Sequence, residues 1–359
     1  MKTFTSFIIF FIAISLNAQT VYIVDNNQGS GAQYTTIQSA IDAAADGDII
    51  YIQPSPNGYG DVNMSKTLSI YGIGHNAELN SGQRAIVSNV LFRYGNASGS
   101  KISGLIINGI YLDNTTYTNH DVVITNNRIA FINGNSNTSR ANNAIIAGNY
   151  IRNPNFSAID NYNSQNWIIS NNLIEQPHTN NSWTTFNRLN STTLLNNNVI
   201  KTVQNGDGNQ SIQLFQNSSG TQISNNIFLF TGSNVANMNL GGNSGLNFQN
   251  NLTYSYNSTL DDLSGTNNLN NQDPLFTNFN SGIGLNSSSN DYNIQSGSPA
   301  EGAGTDGNDL GVFNGGFPFD IRGYPTELPY LTDFVIFNNI ISAGTPLNIN
   351  IKANANINN

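Results

Sequence analysis

Three charged residues stand at the same place in a recurring sequence phrase. Arg152, Glu175 and Lys201 each follow an asparagine of that phrase by three residues. If copies of the phrase lie side by side, the three side chains form a row of positive, negative and positive charge on one surface. Such a row can hold a sugar chain, and it can equally consist of surface charges that pair with each other. Both interpretations are open at the level of sequence.

Asp160 and Arg188 form a second pair of candidates, because they occupy neighbouring copies of the repeat. The residues that we expect to contact a glycan are therefore Arg152, Asp160, Glu175, Arg188 and Lys201.

Catalytic residues cannot be assigned from residue types and spacing. A glycoside hydrolase needs two carboxylates close together. The acidic residues between positions 100 and 260 instead occupy different places in their repeats: Asp113, Asp121, Asp160, Glu175 and Asp207. A lyase needs a base of lowered pKa and a cationic group beside the sugar carboxylate, for which Arg152 and Lys201 are the best candidates. The three histidines, His75, His120 and His178, lie in no recognisable nucleophile motif.

One short acidic loop contains weak candidates for metal ligands. Asp306 and Asp309 flank Gly307 and Asn308, which gives oxygen ligands in a tight turn. The loop lacks the closing glutamate of an EF-hand, and a solvated acidic turn explains the same residues. The sequence predicts no required cofactor, and calcium is the ion for which Asp306 and Asp309 are candidate ligands.

The recurring phrase predicts the fold. It reads apolar, any residue, Asn or Gly, Asn, any residue, apolar, and its copies follow one another every 22 to 28 residues. Short apolar pairs on both sides of an Asn-Asn or Gly-Asn corner indicate a strand, a tight turn and a second strand. A period of this length indicates stacked structural repeats. We therefore predict an all-β, right-handed parallel β-helix in which the third phrase position adopts the left-handed conformation.

The fourth phrase position is predicted to form an internal ladder. Its asparagines can point inward and hydrogen-bond with their counterparts one coil away, which satisfies buried polar groups. The predicted ladder consists of Asn127, Asn149, Asn172, Asn198, Asn226 and Asn251.

The chain resembles the right-handed parallel β-helix proteins of the pectin-lyase-like superfamily. Residues 34–44 strengthen the resemblance, because they read as the amphipathic helix that covers the open end of such a solenoid. Thr35 or Thr36 can cap this helix, and Ile37, Ala40, Ile41 and Ala44 share one face. The resemblance implies a scaffold that is common to enzymes of acidic polysaccharides and to binding proteins alike.

The C-terminal part resembles secreted bacterial β-helix proteins of the choice-of-anchor Q type. The elements that carry this resemblance are residues 273–276 (DPLF), residues 291–300 (DYNIQSGSPA) and residues 309–311 (DLG), in that order. One departure is visible, since Glu301 and Gly302 stand where that family often has Ile-Asp.

Four segments follow from these patterns. Residues 1–18 read as a signal peptide, with Lys2, an apolar stretch and a small-residue end at Ala18. Residues 19–272 are the parallel β-helix with its N-terminal cap, and residues 273–328 are a C-terminal capping segment. Residues 329–359 are a terminal β-hairpin extension. No later segment is apolar for long enough to predict a transmembrane helix.

Composition limits the partners. The chain has 12 Lys and Arg against 21 Asp and Glu, a formal net charge of -9, and no cysteine. This balance excludes a basic nucleic-acid surface. Polyanionic ligands such as pectate or alginate would be repelled unless a local basic cleft or a bound cation intervened. We expect an exported, noncatalytic β-helix at the cell surface or outside the cell that binds polysaccharides or cell-surface glycans. The alternative is a polysaccharide lyase or glycoside hydrolase that acts on an extracellular polysaccharide.

Overall fold

The protein is a parallel β-solenoid. The computed structural model describes residues 19–112, 116–134, 141–153, 157–162, 164–178, 184–204, 214–231, 243–337, 344 and 346–355. The predicted signal peptide, residues 1–18, lies outside the described residues. Among those residues there is one short helix, and no helix that is long and apolar enough to cross a membrane.

The elements have the following bounds. The strands are β1 (Val21–Val24), β2 (Ile49–Ile52), β3 (Val62–Asn63), β4 (Ser69–Tyr71), β5 (Ile86–Leu91), β6 (Lys101–Ser103), β7 (Ile106–Tyr111), β8 (Val123–Thr125), β9 (Arg128–Asn133), β10 (Ile145–Ala147), β11 (Tyr150–Arg152), β12 (Ile159–Asp160), β13 (Ile168–Ser170), β14 (Leu173–His178), β15 (Phe186–Asn187), β16 (Leu194–Asn196), β17 (Val199–Gln204), β18 (Phe215–Gln216), β19 (Gln222–Ser224), β20 (Ile227–Phe230), β21 (Asn247–Gln249), β22 (Leu252–Ser255), β23 (Phe276–Asn278), β24 (Asp291–Ile294), β25 (Pro329–Ile336) and β26 (Ile349–Ala355). The helix is α1 (Ile37–Ala43).

Two long parallel sheets form the walls of the solenoid. Within the described residues, the first has ten strands in the order β1-β2-β4-β6-β8-β10-β13-β16-β19-β21. The second has twelve strands in the same part of the chain, and in it β9 pairs with both β11 and β12, two shorter strands of the next coil. Each strand pairs in register with the strand one coil away, so residues at equivalent positions form rows along the solenoid axis. Rows of this kind have a spacing of about 4.8 Å.

The asparagine corners join the two sheets, and the predicted conformation is confirmed. The third phrase position has a positive φ in each regular copy, at Asn126, Gly148, Asn171, Asn197, Asn225 and Asn250. The fourth position points into the core: the side-chain oxygen of Asn149 accepts hydrogen bonds from the backbone nitrogen of Asn127 at 2.9 Å and from its side-chain nitrogen at 3.2 Å.

The ladder continues through the solenoid with the same geometry. It runs through Asn127, Asn149, Asn172, Asn198, Asn226 and Asn251, and it extends one step further than predicted, to Asn268. The asparagine ladder is therefore confirmed.

Helix α1 covers the first coil as predicted. The side chain of Thr36 accepts a hydrogen bond from the backbone nitrogen of Ser39, and Ile37, Ala40 and Ile41 are buried against the core. At the other end of the helix, the ammonium group of Lys66 donates to the carbonyl oxygens of Ile41, Asp42 and Ala44. A lysine at this position satisfies carbonyl groups that the last turn leaves without partners.

Residues 273–328 form a strap along the outside of the second sheet, and we call this segment the C-terminal strap. It contains the antiparallel pair β23 and β24. Its apolar residues Leu285, Leu310 and Val312 form a second core with outward-facing residues of the sheet, among them Leu173 and Val199. The second sheet is therefore buried on both faces where the strap crosses it.

The strap runs back along the solenoid and is fixed by the corner asparagines. The side-chain nitrogen of Asn250 donates to the carbonyl oxygen of Ala303, and that of Asn225 donates to the hydroxyl of Thr305. The side chain of Asn171 donates to the carbonyl oxygens of Val312 and Asn314. After the strap, β25 and β26 form the predicted antiparallel hairpin.

Candidate functional site

The predicted charge row exists. Arg152 lies opposite Glu175 in the pairing of β11 with β14, and Glu175 lies opposite Lys201 in the pairing of β14 with β17. The carboxylate of Glu175 is 3.8 Å from the guanidinium of Arg152 and 3.3 Å from the ammonium of Lys201. The register inferred from the repeat is therefore correct, and the three charges pair with each other.

The C-terminal strap covers two members of this row. Glu175 is 4% exposed and Lys201 is 1% exposed. The ammonium of Lys201 donates to the carbonyl oxygens of Ile283 at 2.5 Å and Ser281 at 3.3 Å, and the carboxylate of Glu175 accepts from the backbone nitrogen of Leu285 at 3.0 Å. Because the strap covers them, Glu175 and Lys201 are not accessible to a polymer. The expectation from sequence that these two side chains contact a glycan is therefore not met.

A tyrosine completes the buried cluster. The hydroxyl of Tyr150 donates to the carboxylate of Glu175 at 2.9 Å. Burial, followed by the neighbouring Glu175 carboxylate, raises the pKa of Tyr150, so the phenol keeps its proton. Burial lowers the pKa of Lys201, and the Glu175 carboxylate opposes that shift. The cluster holds the strap to the sheet, whereas Arg152 at its margin has 44% of its side chain exposed.

Asp160 and Arg188 pair across neighbouring coils. The guanidinium of Arg188 contacts both carboxylate oxygens of Asp160, with one nitrogen at 2.8 Å. Its central carbon also lies 3.8 Å from the centre of the Tyr162 ring. Arginine held between a carboxylate and an aromatic face has a fixed orientation. The two residues are in direct contact and remain partly exposed, and their contact with a glycan remains a prediction.

A row of exposed polar side chains lies at another corner of the solenoid. The side-chain nitrogen of Asn143 donates to the carboxylate of Asp121 at 2.8 Å, and that of Asn166 donates to the side-chain oxygen of Asn143 at 2.9 Å. We call these three residues the amide row. All three have positive φ, between 58° and 60°, and all three are exposed.

Aromatic side chains precede the amide row in sequence. Tyr117 stands four residues before Asp121 and is 42% exposed. Tyr162 stands four residues before Asn166 and carries the stacked Arg188 guanidinium. Sequence analysis did not identify the amide row, although the shared spacing of Tyr117 to Asp121 and of Tyr162 to Asn166 was available as a signal.

In the acidic loop of the strap, the carboxylates of Asp306 and Asp309 accept hydrogen bonds from nearby residues of the same segment. Asp306 accepts from the backbone and side-chain nitrogens of Asn308 at 3.1 and 2.9 Å, and these hydrogen bonds lower its pKa. Asp309 accepts from the backbone nitrogen of Gly302 at 2.8 Å. Within the described residues, no group of three His, Cys, Asp or Glu is placed to hold a metal ion. Calcium binding by Asp306 and Asp309 remains a prediction.

Comparison with known proteins adds no family to this description. No protein-family model matches the chain, and no curated protein matches it by sequence.

Proposed function

We propose that the protein is an exported, noncatalytic β-helix that binds glycans or other extracellular polymers. The observation that carries the proposal is the amide row, in which Asp121, Asn143 and Asn166 are exposed and linked at 2.8 and 2.9 Å. Amide and carboxylate groups are the donors and acceptors that match sugar hydroxyls.

A polymer suits this surface because the row repeats along the solenoid axis. Each step is one strand spacing, about 4.8 Å, so similar groups meet successive units of an extended chain. Exposed tyrosines such as Tyr117 offer ring faces for sugar stacking. The partly exposed pair of Asp160 and Arg188 with Tyr162, together with the exposed Arg152, supplies further polar contacts.

The contacts of two carboxylates support the proposal of binding without catalysis. Acid and base catalysis on a glycosidic bond needs two carboxylates that are free to exchange protons with the substrate. The Asp121 carboxylate accepts a hydrogen bond from Asn143, and the Asp160 carboxylate is held by Arg188. We propose neutral glycans as the partners, because the net charge of -9 repels polyanions.

The proposal also includes export of the protein, its membership of a family and the ion that it could bind. Residues 1–18 are proposed as a signal peptide, and the chain as a member of the pectin-lyase-like superfamily with a C-terminal part of the choice-of-anchor Q type. These assignments rest on the sequence features that carry each resemblance. The proposed binding requires no cofactor, and calcium is the ion to add in a binding assay.

Affinity electrophoresis in native gels tests the proposal. The gels contain neutral polysaccharides (glucan, mannan, xylan or galactan) or the polyanions pectate and alginate. The test variant combines Asn143→Gly and Asn166→Gly, because glycine keeps the positive φ while it removes the amides. Asn267→Gly is the matched control, since Asn267 is also exposed and has a φ of 55°.

We expect a neutral polymer to retard the unchanged protein and the Asn267→Gly variant equally, and to retard the double variant at least tenfold less strongly. Equal retardation of all three proteins, or retardation by the polyanions alone, would overturn the assignment of the amide row.

A further inference from the structure

A groove in the C-terminal strap has the size and chemistry of a small-molecule site. Its volume is about 620 Å³, which lies within the usual range of ligand pockets, roughly 300 to 1,000 Å³. Its lining includes Asp291, Asn293, Phe313, Asp320, Arg322 and Thr326. The groove lies in the strap and is formed by none of the residues of the amide row.

The walls of the groove are held in place by hydrogen bonds. On one side, the hydroxyl of Tyr292 donates to the carbonyl oxygen of Leu285 at 2.6 Å, and the hydroxyl of Ser288 donates to Glu78 at 2.8 Å. On the other side, the backbone nitrogen of Phe319 donates to the carbonyl oxygen of Val312 at 3.0 Å. A site that is formed before binding loses little conformational entropy when the ligand enters.

The polar groups of the groove have fixed orientations. The guanidinium of Arg322 contacts the two carboxylate oxygens of Asp320 at 3.2 and 3.3 Å, and 39% of its side chain is exposed. The carboxylate of Asp291 accepts from the backbone nitrogen of Asn293 at 3.0 Å. A guanidinium, carboxylates and an amide together offer both donors and acceptors. The half-buried ring of Phe313 adds an apolar wall.

The charge of the groove restricts its ligand. The lining contains the carboxylates of Asp291 and Asp320 and one cationic group, that of Arg322, and the lining residue Ser288 donates a hydrogen bond to the carboxylate of Glu78. An acidic ligand would meet this excess of carboxylates. We infer that the groove binds a short uncharged saccharide, whose hydroxyls pair with Asp291, Asp320 and Arg322. The inference goes beyond the proposed function, because it assigns a separate site that does not depend on the amide row.

Isothermal titration calorimetry with defined disaccharides tests this inference. The probes are cellobiose, maltose, mannobiose and xylobiose, with digalacturonate as the acidic counterpart. The test variants are Asp291→Asn and Asp320→Asn, which keep the side-chain volume and the local turn but remove the charge.

Asp273→Asn is the matched control. Asp273 lies on the same strap and accepts a hydrogen bond from the backbone nitrogen of Leu275 in the way that Asp291 accepts one from Asn293, but it does not line the groove. Melting temperatures of all variants establish that the fold is kept.

We expect at least one neutral disaccharide to bind, digalacturonate not to bind, and both test variants to bind at least tenfold more weakly than the Asp273→Asn control. Binding in the Asn143→Gly/Asn166→Gly variant should be unchanged, which separates this site from the amide row. The inference is overturned if none of the neutral disaccharides binds, if digalacturonate binds as tightly, or if the test variants bind like the control.

Discussion

Lys201 and Glu175 form an ion pair beneath the C-terminal strap, with 3.3 Å between the ammonium and the carboxylate. The strap contributes carbonyl oxygens to Lys201 and a backbone nitrogen to Glu175. Two charges that pair across neighbouring coils therefore also bind a segment roughly 80 to 110 residues further along the chain. The pair joins the repeat to the strap.

Removal of one partner of this pair should destabilise the protein strongly. Lys201→Met leaves the Glu175 carboxylate buried without its ammonium partner, which typically costs about 3–5 kcal/mol. The double variant with Glu175→Gln should recover part of this loss, because the amide carries no charge. Denaturant unfolding of the two single variants and the double variant gives the coupling energy. A cost for Lys201→Met below about 1 kcal/mol, as for an exposed pair, would contradict the buried arrangement.

The asparagine ladder should be sensitive to a single truncation. Asn172→Ala removes the oxygen that accepts from both nitrogens of Asn149 and the nitrogen that donates to Asn198. Buried polar groups left without partners cost about 1–3 kcal/mol each, so we expect a loss of several kcal/mol in the free energy of unfolding. The exposed Asn267→Gly is the control and should change stability by about 0.5 kcal/mol or less. Similar values for both variants would show that the ladder contributes little to stability.

Gly323 lies where the strap touches a buried histidine. A Cβ atom at this position would lie 2.0 Å from Cδ2 of His75, and Gly323 has a φ of 67°. Gly323→Ala should therefore destabilise the protein by more than the roughly 1–2 kcal/mol that positive φ alone costs a residue with a side chain. Gly307→Ala is the control, because its φ is 79° and no atom lies within 4 Å of the added carbon. Equal melting temperatures for the two variants would contradict the packing of the strap against His75.

The buried histidine His75 should make the free energy of unfolding depend on pH. The ring is fully buried, and neither nitrogen has a hydrogen-bond partner among the described residues. Burial, helped by the positive charge of Arg128, lowers the pKa of His75 from 6.5 to about 3. The unfolded chain therefore binds a proton between these two values that the folded protein does not bind. The contribution of the neutral His75 to the free energy of unfolding should be fully present above pH 6.5. It should be lost as the pH falls toward 3, by a total on the order of 4 kcal/mol.

Denaturant unfolding at several pH values between 7 and 4 measures this loss. In the His75→Leu variant the decline between pH 6.5 and pH 4 should be smaller, because no imidazole remains to be protonated. A decline of the same slope in both proteins would show that other groups account for the acid sensitivity.

The repeat could be predicted from sequence because its signals are local. An Asn-Asn corner such as Asn171 and Asn172 combines a positive φ with an inward amide, and both properties follow from residue type and from the apolar residues beside it. The register that places Glu175 between Arg152 and Lys201 follows from the same pattern, since each lies three residues after a ladder asparagine.

The strap contacts could not be predicted, because they join residues far apart in the chain. The side-chain nitrogen of Asn171 donates to the carbonyl oxygens of Val312 and Asn314, more than 140 residues away. Nothing in the phrase around Asn171 distinguishes an asparagine that binds the strap from one that faces solvent. The burial of Lys201 was missed for the same reason, since an outward-facing lysine in a strand ordinarily lies in water.

The most direct test of noncatalytic glycan binding combines retention with product analysis. The protein, with and without calcium, is incubated with neutral and acidic polysaccharides, and both the fraction bound and the mass spectrum of released sugars are measured. We predict that the protein is retained by at least one neutral polymer and that the polymers stay intact. Shortened or unsaturated oligosaccharides would show that the protein is an enzyme, and absence of retention by every polymer would contradict glycan binding.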